Sequence, residues 1–237
     1  MTRARPPIGL GLMCKPPRPG ATKTRLAASI GSLAAARLSR AFLQDCAATA
    51  LAAARACGLD PMALYRPADA GEELAAVLGP NWPVAYADAG DLGATMLHAL
   101  RLLLARCPAG ALLMGADVPL ISGEAIAAAA LALREGDERS VAIIPSRDGG
   151  YCLIGARCPQ ATAPLFAPMA WSTPGVLDET LRRARDHGLE TTILPPERDI
   201  DEAADLDWLR RELAARPQAA PATRSALTGV TRASADG

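Results

Sequence analysis

The chain has 237 residues, 50% of them hydrophobic and only 3% aromatic, and its 25 basic side chains are balanced by 25 acidic ones. That size suffices for a full core in one domain, while zero net charge argues against a nucleic-acid or anionic-membrane surface, since both partners reward a basic excess. A small-molecule ligand is the expected partner.

No stretch approaches the roughly 20 apolar residues of a membrane span. The arginine-bearing start runs into a strand-like segment, with no cleavable signal pattern, so the expected compartment is the cytoplasm. Six cysteines are scattered without C-x-x-C pairing and there are only two histidines, which suggests neither a zinc site nor a disulfide framework.

Apolar runs alternate with helical patterns along the chain. Ile8–Met13 reads as a buried strand, and Leu33–Leu51 as a helix. Strands follow at Met62–Tyr65, Val84–Tyr86, Ala111–Met114 and Val141–Pro145, interleaved with helices at Glu72–Leu78, from Asp91 and from Ser122. Tyr151–Ile154 is a further candidate strand. Ser172 or Thr173 can cap the next helix, with Pro174 in its first turn and Gly188 as its stop. A strand at Thr191–Leu194 and a helix through Trp208 to about Ala214 complete the pattern. This alternation predicts an α/β fold with a mainly parallel central sheet and helices on both faces, in one domain over residues 1–214. The Ala/Pro/Ser/Thr-rich segment 215–237 has little to bury and is expected to be a disordered tail.

The first loop carries the strongest chemical signal. Lys15-Pro16-Pro17-Arg18-Pro19-Gly20-Ala21-Thr22-Lys23-Thr24-Arg25-Leu26 leaves the carboxyl end of the first strand, where open α/β sheets bind ligands. Thr22 precedes Lys23 where a P-loop needs glycine, and Cys14 occupies the third glycine position of a dinucleotide fingerprint, so both motifs fail. What remains is charge carried by Lys15, Arg18, Lys23 and Arg25, either a phosphate grip or a solvated basic turn.

Asp117 lies just past Ala111–Met114, on the rim that holds this loop. A hard oxygen ligand beside a phosphate grip suggests Mg²⁺ or Mn²⁺, because magnesium takes one or two carboxylates together with phosphate oxygens and water. The alternative is a turn or cap aspartate before the helix at Ser122. Asp201 or Asp199 would close the metal site, and Asp201 could instead cap the last helix. In Arg147-Asp148-Gly149-Gly150-Tyr151 the paired glycines allow close approach to a ligand, or form an ordinary hairpin turn. His98 and His187 sit in helical stretches without metal-ligand spacing.

An ordered set of motifs spans about residues 8–210: Lys15-Pro16 with Gly20-x-x-Lys23-Thr24-Arg25-Leu26, Asp91-Leu92-Gly93, Gly115-x-Asp117-x-Pro119, Asp148-Gly149-Gly150-Tyr151-x-Leu153-Ile154-Gly155, Trp171-Ser172-Thr173-Pro174, and Asp199-Ile200-Asp201. The set resembles a bacterial family of glycosyltransferase-like proteins, often labelled as radical-SAM- or selenodomain-associated or as arsenosugar-biosynthesis transferases. The resemblance implies a Rossmann-like GT-A fold that binds a nucleotide-diphospho-sugar with a divalent metal. It implies nucleotide or phosphate contacts at Lys15, Gly20, Lys23, Arg25, Asp91 and Gly93, and metal ligation by Asp117 and Asp201. A donor or acceptor loop would comprise Gly149, Gly150, Tyr151, Trp171, Ser172 and Thr173, and Lys23, Arg25 and Asp148 are the candidate catalytic groups.

Lys23-Thr24-Arg25-Leu26 is also similar to a segment of phospholactate guanylyltransferases, and Asp201 matches the metal-binding aspartate of the Asp-Thr-Pro-Glu-Asp-Leu motif in CMP-sugar synthetases. This chain departs from the family pattern at Thr95, where arginine is common, at Arg147, where an acid is common, and at Glu202-Ala203-Ala204, which replaces Thr-Pro-Glu. The Asp117 motif also lacks the two-acid Asp-x-Asp of many glycosyltransferases and carries the neutral Ala116. Three functions follow: glycosyl transfer from a nucleotide-diphospho-sugar, nucleotidyl transfer from an NTP to a small phosphorylated or sugar acceptor with release of pyrophosphate, and non-catalytic nucleotide binding.

Overall fold

The structure, a computed structural model, describes residues 6–230. Its strands are β1 (Ile8–Cys14), β2 (Leu59–Tyr65), β3 (Val84–Tyr86), β4 (Ala111–Gly115), β5 (Ser140–Pro145), β6 (Tyr151–Ala156) and β7 (Glu190–Ile193). Its helices are α1 (Thr24–Ile30), α2 (Ser32–Cys57), α3 (Gly71–Leu78), α4 (Leu92–Arg106), α5 (Gly123–Glu135), α6 (Pro159–Thr162), α7 (Val176–Asp186), α8 (Ala203–Ala215) and α9 (Pro221–Leu227). The strands form one seven-stranded sheet in the order β3-β2-β1-β4-β6-β5-β7. β6 runs antiparallel to β4 and β5, and the other pairings are parallel. The mainly parallel, helix-covered sheet is therefore as the sequence predicts.

Strand β1 shows how the sheet joins its two layers. Ile8, Leu10 and Leu12 are buried toward α2, α3 and α5. Gly9 and Gly11 face α4 on the other side, where a Cβ at Gly11 would lie 2.7 Å from side-chain carbons of Leu113 and Leu64 and 2.8 Å from one of Leu103. These glycines let α4 seat closely on the sheet. Met62, Leu64, Leu113, Ile143 and Ile154 continue that second apolar layer under α4 and α7.

Several local expectations change. The basic loop contains a helix, α1, whose Leu26 and Ile30 are buried and which ends at Gly31 with φ 84°. Spacing i, i+4 was a helix signal too short to stand out beside the preceding prolines. Neither Ser172 nor Thr173 caps α7, whose N-cap is Gly175. Ser172 instead adopts φ 61°, and the Thr173 hydroxyl donates to the Ala170 carbonyl at 2.8 Å. All six cysteines are free, and burial pushes the Cys14 and Cys46 thiols up to about 12. Among the described residues no helix is long and apolar enough to cross a membrane.

The expected disordered tail is corrected over its first part. Residues beyond α8 fold back as α9 against α2, and Ala220, Val230 and the partly buried Leu227 join an apolar cluster with Leu38, Phe42, Leu209 and Leu213. Asp45, buried in α2, accepts the Ala222 and Thr223 N–H groups at 3.1 and 2.7 Å. Composition missed this because few apolar residues suffice when a distant buried carboxylate anchors the turn. Residues 231–237 of the expected tail lie outside the described residues.

Asp45→Ala should strand both N–H groups and lower stability by about 1–3 kcal/mol. Urea unfolding measures the loss, and faster proteolytic cleavage within residues 216–230 should accompany it.

Candidate functional site

The chain lays down β1, β2 and β3 outward, then returns to place β4 on the other side of β1. Ligand crevices form at such a reversal, outside the carboxyl ends of the strands. A cavity of about 630 Å³ opens there.

Lys23 is its central cation. It occupies the N-cap position of α1 in left-handed geometry, φ 49° and ψ 47°, and its side chain is only 4% exposed. Its Nζ lies 3.0 Å from Asp117 Oδ2 and 2.5 Å from Asp201 Oδ1. Burial by itself would lower the lysine pKa; the facing Asp117 and Asp201 carboxylates outweigh it and raise the value. Asp117 extends from the end of β4, and its carbonyl accepts the Ile200 N–H at 3.0 Å, which fastens the Asp199–Asp201 segment beside it.

The competing capping roles fall to other residues. Ser122 caps α5 by accepting the Ala125 N–H at 3.0 Å. Glu202 and Asp205 form a capping box on α8, and Asp205 also accepts the Asp201 N–H at 3.0 Å. The carboxylates of Asp117 and Asp201 are thereby left for the cavity. Asp199, the alternative closing residue, instead accepts the Ser146 hydroxyl at 2.5 Å. Burial, with Asp148 and Asp201 nearby, raises the Asp199 pKa against the opposing effect of that bond.

Asp117 and Asp201 thus converge on one cation position. Among the described residues no group of three or more His, Cys, Asp or Glu side chains could hold a metal. Two carboxylates on one wall of the cavity are nevertheless the donor set of a magnesium-type ion that draws its other ligands from phosphate and water, and such an ion would take the place that the Lys23 ammonium holds between them.

The hairpin reading of Arg147–Tyr151 holds. Asp148 accepts the Gly150 N–H at 2.9 Å in the turn between antiparallel β5 and β6. Gly149, at φ 90°, has its α-carbon so close to Pro174 that a Cβ would lie 2.1 Å from the proline carbonyl oxygen, and its own carbonyl accepts the Leu177 N–H at 2.8 Å. This glycine docks the start of α7 on the hairpin. Asp148, Gly150, Tyr151, Trp171, Ser172 and Thr173 all line the cavity, and burial raises the Tyr151 phenol above its usual range.

Other expected positions lie off the wall. Asp91 caps α4 by accepting the Ala94 N–H at 2.7 Å, and Gly20 sits in a turn at φ 77°. Gly93 makes room for Trp171: a Cβ there would fall 2.4 Å from Trp171 Cζ2 and from the Phe166 carbonyl oxygen. Arg18 is turned to Asp69 and Glu73, at 3.0 and 2.8 Å, and pins the loop to α3. Lys15 and Arg25 do line the cavity, with Arg25 3.5 Å from Glu202. Sequence reasoning missed Arg66, which lines the same cavity; its signal was its position directly after an expected strand. The wall is sorted by charge: Lys15, Lys23, Arg25 and Arg66 come from the first two strands and α1, and Asp117, Asp148, Asp199 and Asp201 from β4 onward.

A model of the family described as uncharacterized protein conserved in bacteria (DUF2064) matches residues 47–173. No curated protein matches the chain. Among solved structures, a candidate nucleotide-diphospho-sugar transferase from Desulfovibrio desulfuricans G20 is 32% identical with a TM-score of 0.80, over 93% of each chain. A cytidylyltransferase from Leptospira borgpetersenii is 14% identical with a TM-score of 0.56, over 94% of each chain. 4-Diphosphocytidyl-2C-methyl-D-erythritol synthase from Anaerococcus prevotii is 13% identical with a TM-score of 0.55, over 88% of this chain and 96% of its own. The last two share the fold, which is that of nucleotide-diphospho-sugar transferases, the GT-A type expected from the sequence.

Gly93→Ala should force Trp171 from its seat and cost about 1–3 kcal/mol. In a Trp82→Phe, Trp208→Phe background the displacement is read as a shift of the remaining tryptophan emission, with thermal unfolding measuring the loss.

Proposed function

The chain belongs to the bacterial DUF2064 family, and from that premise we propose that it is a divalent-metal-dependent transferase using a nucleotide-activated donor, transferring a glycosyl group from a nucleotide-diphospho-sugar. The observation that carries this reading is the meeting of Asp117 and Asp201 on a shared cation, the Lys23 ammonium, at the sheet reversal. The 32% identity to a candidate nucleotide-diphospho-sugar transferase supports the same donor class.

In this reading Asp117 and Asp201 hold Mg²⁺ or Mn²⁺. The ion supplies Lewis-acid stabilisation of the diphosphate leaving group. Lys23, released from one or both carboxylates, and Arg25 add charge where the leaving group develops it. Asp148 reaches the cavity from the β5–β6 turn and is the candidate base that accepts the acceptor hydroxyl proton. Trp171, Ser172 and Thr173 bound the space left for the acceptor.

Nucleotidyl transfer is the second reading, and one observation favours it. Lys15, Arg25 and Arg66 stand on the wall beside Lys23, a charge suited to a triphosphate. In that reaction the acceptor attacks the α-phosphate and pyrophosphate leaves.

A thermal-shift panel of NTPs and nucleotide-diphospho-sugars, each with and without Mg²⁺, separates the two. A ligand at a hundred times its dissociation constant stabilises by about 2.7 kcal/mol. Mg²⁺-dependent stabilisation by a nucleotide-diphospho-sugar is the expected result, and stabilisation by NTPs alone would favour nucleotidyl transfer. Asp117→Ala should remove the Mg²⁺-dependent part; if that part persists, the metal assignment is wrong. No response to any nucleotide would leave neither transferase reading standing.

A further inference from the structure

Lys15 and Arg66 hold corresponding places on adjacent parallel strands. β1 and β2 pair through Cys14 and Tyr65 at their carboxyl ends, and the Arg66 N–H donates to the Cys14 carbonyl at 3.4 Å. The next residue on each strand is therefore a cation beside a cation, and both side chains line the cavity.

Such neighbours repel, and the fold does little to neutralise them. Asp88 is 3.8 Å from Arg66 Nη1, but its Oδ1 is also shared with the Gly90 N–H and the Thr95 hydroxyl, at 3.3 and 3.4 Å. Lys15 makes no ion pair among the described residues. Burial in the wall lowers the lysine pKa, the Arg66 guanidinium lowers it further, and Asp117 and Asp88 act in the opposite sense. The other two wall cations face carboxylates that a ligand or metal must first displace: Lys23 two of them, Arg25 Glu202.

We propose that Lys15 and Arg66 form a phosphate subsite, in which the Arg66 fork takes two oxygens of one phosphate group of the bound substrate and the Lys15 ammonium a third. Paired charges match a doubly charged anion, and a guanidinium meets phosphate oxygens in bidentate geometry. The subsite lies at the β1–β2 end of the cavity, with β4 between it and the Asp148 turn. It extends the transferase reading, which supplies the identity of the phosphate-bearing molecule, while the anion site stands on its own geometry.

The test titrates the full chain with inorganic pyrophosphate, without nucleotide or divalent metal, by calorimetry and thermal midpoint. Wild type should bind saturably. Arg66→Met and Lys15→Met should each weaken the dissociation constant at least tenfold while circular dichroism stays unchanged. Arg18→Met, which removes a cation turned to Asp69 and Glu73, should stay within twofold. Failure of wild type to bind, or dissociation constants unchanged in both Arg66→Met and Lys15→Met, overturns the subsite. If Arg66→Met does not fold, Lys15→Met decides by the same criterion. Pyrophosphate binding through the pair with no response to any nucleotide would sink the transferase reading and keep the subsite. Metal-dependent nucleotide binding with pyrophosphate affinity indifferent to both substitutions would do the reverse.

Discussion

The carboxyl edge of the sheet depends on one ammonium group. Lys23 and Asp201 stand 178 positions apart in the chain, and with Asp117 they bring together the start of α1, the end of β4 and the segment before α8. Two carboxylates held this close would repel; the lysine between them turns repulsion into a clasp. The arrangement carries costs, a buried ammonium and a left-handed lysine backbone of about 1–2 kcal/mol. Because Asp117 and Asp201 remain 48% and 35% exposed, water screens them and the clasp contributes less than a fully buried bridge. The same exposure leaves carboxylate oxygens open toward the cavity.

Capping explains why those carboxylates are available. An acid before a helix is ordinarily drawn to its free N–H groups. Here Ser122 serves α5, Glu202 with Asp205 serves α8, and Asp91 serves α4. The two helices that follow Asp117 and Asp201 in the chain, α5 and α8, thus have caps of their own, so Asp117 and Asp201 are not consumed locally. Arg18 follows a parallel logic, spent on Asp69 and Glu73 to position the loop that delivers Lys23.

These divisions mark the limit of what the sequence could tell. Strand and helix periodicity located the sheet, because apolar spacing reports burial directly. Position at strand ends identified Lys15, Lys23, Arg25, Asp117, Asp148 and Asp201 as rim residues, and all six line the cavity. Which partner a polar side chain takes is a matter of a few ångströms, invisible to spacing; hence Asp199, which accepts the Ser146 hydroxyl, and Asp201, which pairs with Lys23, stayed interchangeable, and Arg18 counted as a grip residue. Arg66 had the same strand-end signal, but its place beside Lys15 required the β1–β2 register, and α9 required knowing that a carboxylate buried in α2 would meet it. Long-range pairing decides such cases.

Strand direction completes the sorting of charge. β4 and β5 both run antiparallel to β6 and so point the same way, which puts Asp148, just past the end of β5, on the rim that carries Asp117; the hairpin then starts β6 on that rim, adding Gly150 and Tyr151 to the wall. Cations therefore collect on the β1–β2 side and carboxylates on the side of β4, β5 and β6. Under the proposed function, a molecule with an anionic end and a hydroxyl-bearing end would be oriented by that division, in glycosyl and nucleotidyl transfer alike. Folds of this kind do not by themselves select the reaction. Under the proposed function, selection would fall to the space between the Asp148 turn and Trp171, because what stands there would meet the donor from the acid-lined side.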